Sequence, residues 1–92
     1  MIGEFVIVRT FSAGVHCGEL LECSGTAVLL ANARRIWRWT EAFTLNEVSV
    51  NGVGEDSRIS QPVKKILLTQ AIEVIPCEEK AIVNLKQSRN GA

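Results

Sequence analysis

No stretch of this sequence is long and apolar enough to cross a bilayer. The longest apolar run, around Ala27 to Ala31, falls far short of the ~20 residues a membrane helix needs. The first residues, Met1 to Arg9, lack the basic and apolar regions of a secretory signal, so the expected location is a cytoplasm. Net charge is also missing, because ten basic and ten acidic residues cancel. Neutrality argues against a general coat for long nucleic acids, which would be strongly basic. It also leaves little repulsion between copies, so a homo-oligomer, dimer or tetramer, is expected.

Catalytic signatures are missing as well. There is no G-x-S-x-G, no phosphate-binding P-loop and no H-E-x-x-H. His16 stands beside Cys17, but neighbours in a strand point to opposite faces and cannot act as base and nucleophile. The three cysteines, Cys17, Cys23 and Cys77, form no C-x-x-C pair. They read as reduced, buried thiols rather than a redox or zinc site, since zinc would want a fourth ligand and one histidine is on offer. The chain is expected not to be an enzyme and to need no cofactor or metal.

The 92 residues make one domain, 1–92, with a modest core. Apolar residues reach 47% and charged ones only 22%, a balance that excludes disorder. Phe5 to Thr10 is β-branched and aromatic and predicts a strand. Ser12-Ala13-Gly14 supplies turn chemistry, and Val15 to Cys23 predicts a second strand, with Gly18 marking a bulge or a close backbone approach. After Ser24-Gly25, Thr26 to Ala31 predicts a third strand. Asn32-Ala33 reads as a bend or bulge. Arg34 to Thr40 is then a fourth strand or the far end of a long bent third.

Thr44-Leu45-Asn46-Glu47 matches a capping box and opens a short helix with Leu45 and Val48 facing inward. Asn51-Gly52 ends it. Val53 to Pro62 is polar and reads as a mobile loop. Val63 to Thr69 and Ala71 to Ile75 read as further strand, stopped by Pro76. Beyond it, Glu78 and Glu79 open a C-terminal helix and Lys86 and Arg89 close it, matching the helix dipole. Its apolar stripe is Ala81, Ile82 and Leu85, and residues 88–92 are expected to fray. The fold class is α+β, mainly β: an antiparallel meander sheet or small partly open barrel, with a short mid-chain helix and a C-terminal helix.

The densest chemistry is Arg34-Arg35-Ile36-Trp37-Arg38-Trp39, which holds both tryptophans. Strand alternation places Arg35, Trp37 and Trp39 on one face and Ile36, Arg38 and Thr40 on the other. Two indoles and a guanidinium suit a planar anion, through stacking and paired N–H bonds to phosphate. The same tryptophans also suit core packing or a subunit interface. His16 could stack on a base, donate to phosphate, or serve the structure alone. Ser12 and its turn could add a hydroxyl and an anion-binding nest of backbone N–H groups.

Three stretches together resemble a known family: Ser12 to Leu20, Leu30 to Trp39, and Ile66 to Pro76. Their order and spacing are similar to those of small tailed-phage proteins of unassigned function, and resemble the phage anti-CBASS sponges. Those proteins bind cyclic dinucleotide-type immune signals and withhold them from host effectors. The resemblance implies immune evasion in the host cytoplasm, by sequestration in pockets between subunits. The matching candidates are His16, Arg34, Arg35, Trp37 and Trp39, and the implied partner is a small anionic nucleotide. A structural or accessory phage protein, such as a virion decoration or assembly factor, is the alternative, with the Trp face making protein contacts.

Overall fold

A computed structural model describes residues 1–87. Six strands and two helices follow one another as β1 (Phe5–Thr10), β2 (Val15–Ser24), β3 (Ala27–Arg38), α1 (Leu45–Asn51), β4 (Arg58–Ile59), β5 (Val63–Leu68), β6 (Ala71–Pro76) and α2 (Glu79–Lys86). Every strand pairing is antiparallel, in the order β4-β3-β2-β1-β6, with β5 also on β3. The mainly-β α+β reading holds, and the third and fourth expected strands are one long bent strand. Arg89 and the expected fraying of 88–92 lie outside the described residues.

The sheet must curl. β5 and β6 lie on opposite sides of β3-β2-β1, which in a flat sheet would hold them about 19 Å apart. Yet only Thr69 and Gln70 join them, a link that spans at most about 11 Å. Curling brings the outer strands together at that turn. The Ala71 amide donates to Thr26 O at 3.0 Å, and the Thr26 hydroxyl donates to Thr69 O at 3.0 Å. Among the described residues β5 and β6 share no ladder, so the barrel is partly open.

Curling divides the core into two layers. Inside lie Val6, Val8, Leu20, Val28, Leu30, Ala33 and Leu68, with Ala71 and Val74 of the edge strand β6 packed against them. On the outside, Phe5, Ile7, Val15, Cys17, Ile36 and Ile59 pack under Val48 of α1 and Leu85 of α2. β1 is therefore buried on both faces, which is why Phe5-Val6-Ile7-Val8 is unbroken by polar residues.

The helices end as their residues dictate. The Thr44 hydroxyl accepts from the Glu47 amide at 3.2 Å, and Gly52 takes φ 81° after α1. Gly52 also lies against Asn84. The Asn84 side chain accepts from Val53 N and donates to Val53 O, both at 2.9 Å, fastening α2 to the segment after α1. That segment corrects the expected mobile loop. Gly52, Val53, Gly54, Ser57 and Ile59 are buried. Arg58 and Ile59 pair with β3, Gly54 N donates to Thr40 O at 2.9 Å, and Thr40 N donates to the Ser57 hydroxyl at 3.0 Å. Its polar composition hid a strand that exists only because β3 lies beside it.

Candidate functional site

A bulge aims the site. Between the pairs Cys17↔Arg34 and Glu19↔Ala31, β3 carries one residue more than β2. Asn32 takes up the excess at φ 50°. Before the bulge, even-numbered Val28 and Leu30 face inward; after it, odd-numbered Ala33 does. The switch turns Arg35 and Trp37 to the inner side and Arg34 and Ile36 to the helix side. Opposite the bulge, a Cβ on Gly18 would stand 2.8 Å from Ala31 O and 3.2 Å from Ala33 Cα. Glycine is required there by close backbone approach.

The bend opens a cleft of about 730 Å³ where the link between β4 and β5 crosses β3. Its lining includes His16, Arg34, Arg35, Trp37, Gln61 and Ile66. Four expected site residues therefore converge. Trp37 is 55% exposed and offers an indole to the cleft. Arg35 is exposed and makes no ion pair among the described residues. Its backbone is held by the Ser60 hydroxyl, which accepts from Arg35 N at 2.8 Å.

Arg34 reaches the cleft but is committed elsewhere. Its Nε donates to Ser60 O at 2.8 Å, and Nη1 donates to Leu85 O at 3.0 Å and Gln87 O at 2.7 Å. A cation on the last carbonyls of α2 also favours the helix dipole. The residue ties α2 and the β4–β5 link to β3.

His16 is 1% exposed and pairs across the strands with Arg35. Its Nε2 lies 2.9 Å from Ala13 O. A carbonyl only accepts, so Nε2 carries the hydrogen. Burial holds the ring below its ordinary pKa of 6.5, and nearby Arg35 lowers it further, against the Ala13 hydrogen bond, which raises it. The ring is therefore neutral at pH 7, with Nδ1 an acceptor, and donation to phosphate is not its resting role.

Two expected residues fall outside. Trp39 lies past the end of β3 and packs partly buried against the helix-side core, so it does not share a face with Trp37. Strand alternation stops applying once the strand ends. Ser12 is exposed, and its hydroxyl donates to Gln70 Oε1 at 2.8 Å, tying the β1–β2 turn to the β5–β6 turn. The proposed nest is occupied as well, because Ala13 N donates to the Thr10 hydroxyl at 2.8 Å. Gln61 and Ser60 were missed. They sit in the polar segment read as loop, and only its pairing with β3 brings them to the cleft.

The thiols are not chemistry at this site. Cys17 is pushed up to about 12 by burial and then by nearby Cys77, and Cys77 up to about 12 by burial. Cys23 is exposed, against the expectation that all three are buried. Among the described residues no cluster of metal ligands occurs, and no helix is long and apolar enough to cross a membrane.

The family described as a domain of unknown function, DUF6948, matches residues 3–85, and the chain belongs to it. No curated protein and no solved structure matches the chain.

Proposed function

We propose that this is a binding protein that captures a small ring-bearing anion of the cyclic-nucleotide class and releases it unchanged. One observation carries the reading: an exposed indole, an arginine with no ion pair among the described residues and a buried histidine line a single cleft. Its volume, about 730 Å³, falls in the ~300–1,000 Å³ range of small-molecule sites. Trp37 stacks on a base and Arg35 takes a phosphate, with Arg34 holding the wall in place. The resemblance to phage sponges supplies the biological form: stoichiometric withdrawal of a host immune signal in the host cytoplasm. The same resemblance implies that a second copy would complete the pocket.

Isothermal titration against cyclic di-AMP, cyclic di-GMP and 3′,3′-cyclic GMP–AMP tests this. Binding of at least one is expected, with recovery of intact nucleotide after denaturation. Loss of Trp37 should weaken binding by about 1–3 kcal/mol. No binding across the panel overturns the reading.

Exposed apolar groups favour one alternative. Phe43 is 96% exposed and Trp37 55%, which suits contact with a protein partner in a virion or assembly intermediate. Mass spectrometry of purified particles distinguishes the two, since a sponge need not be packaged.

A further inference from the structure

We infer that His16 reads the ligand's base, by accepting a hydrogen bond at Nδ1 from an exocyclic amino group, and does not hold the phosphate. The inference rests on the nucleotide reading of the cleft and deepens it.

The argument starts in the β1–β2 turn. Thr10 N donates to Gly14 O at 3.0 Å, and the Thr10 hydroxyl donates to the same carbonyl at 2.8 Å while accepting from Ala13 N. Gly14 adopts φ 83°, which glycine tolerates and other residues resist. These bonds fix the Ala13 peptide, whose oxygen faces His16 Nε2 at 2.9 Å. The turn thereby sets the tautomer, because an N–H must point at that oxygen. Nδ1 keeps its lone pair. Charging the ring would mean placing a cation 1% exposed beside the Arg35 guanidinium, which burial and like charge both oppose.

His16 lines the cleft beside Arg35, its cross-strand partner. A lone-pair acceptor repels phosphate oxygens and attracts N–H groups. Arg35 is the cation placed to meet the phosphate, so ligand polarity is set: phosphate toward Arg35, base amine toward His16, ring on Trp37. Adenine, guanine and cytosine carry such an amine and uracil and hypoxanthine do not, so the cleft should prefer the former.

The test uses the full chain. Each cyclic dinucleotide in the panel is paired with an analogue lacking its exocyclic amines, purine replacing adenine and hypoxanthine replacing guanine. The expected result is affinity on the order of tenfold higher for the amine-bearing member. His16→Phe should reduce that ratio to near one; its thermal melt shows whether it folds. Nitrogen-15 NMR of the wild-type ring gives an independent readout: the hydrogen should sit on Nε2, and the Nδ1 resonance should shift when an amine-bearing ligand is added. Equal affinities within pairs, or a hydrogen on Nδ1, overturn the role given to His16 while leaving the nucleotide reading intact. Absence of any binding overturns both.

Discussion

Arg34 and Arg35 are chain neighbours that the fold uses in opposite ways. Arg34 points to the helix side, is 8% exposed, and donates to three backbone carbonyls on two other elements. Arg35 points to the inner side, is exposed, and leaves its guanidinium at the cleft. Residue type is identical, so the difference comes from position alone: alternation along β3, and the bulge at Asn32 that decides which parity faces in. The same division runs through the sheet. Its helix side is an apolar layer that holds the fold, and its inner side becomes polar where the barrel opens.

The comparison can be broken by substitution. Arg34→Ala should have the largest effect on stability, because it strands the buried Leu85 carbonyl and removes the part-buried bonds to Gln87 O and Ser60 O. A loss of about 2–4 kcal/mol is expected by chemical denaturation. Arg35→Ala should leave stability within about 0.5 kcal/mol while abolishing nucleotide binding. A stable Arg34→Ala protein, or an unfolded Arg35→Ala protein, would erase the distinction.

Gly18→Ala comes next. Its new methyl meets backbone, not a movable side chain, so the bulge must shift at a cost of about 1–3 kcal/mol. Since the bulge aims Arg35 and Trp37, ligand affinity should fall with stability. A variant of unchanged stability and affinity would show that the close approach at Gly18 does not set the strand.

A smaller effect separates the faces by pH. His16 has a folded pKa below 6.5, so below pH 6.5 the unfolded chain binds a proton that the folded ring resists. Stability from this group is complete above 6.5 and falls as pH drops toward the folded value. Urea melts between about pH 7.5 and about pH 5 should show the decline, and His16→Phe should remove that part of it.

The smallest effect concerns the cysteines. With Cys17 and Cys77 held near 12 and Cys23 exposed, thiol labelling of the native protein should find one fast site. Fast labelling of Cys17 would mean the helix layer opens readily.

Much of this was legible before any fold was known, because the controlling interactions are local. The β-branched run from Phe5, the glycine turns, the Thr44 cap and Gly52 stop each act within a few residues. Asn32-Ala33 and Gly18 marked the bulge for the same reason. Alternation alone grouped Arg35 with Trp37. It failed at Trp39 because the strand ends at Arg38, and nothing in Trp39 or Thr40 announces that end. It also could not tell a polar loop from Arg58–Ile59, whose strand character comes from pairing with β3.

The sequence by itself therefore determined the strands, turns, caps and bulge, since steric and hydrogen-bonding preferences within a few residues decide them. Only the tertiary structure decided that the sheet curls, that α2 claims Arg34, that Ser12 serves a turn, and that Ala13 orients His16. Those outcomes depend on groups distant in the chain meeting in space, such as the Leu85 carbonyl 51 residues beyond Arg34, and local preference carries no record of such meetings.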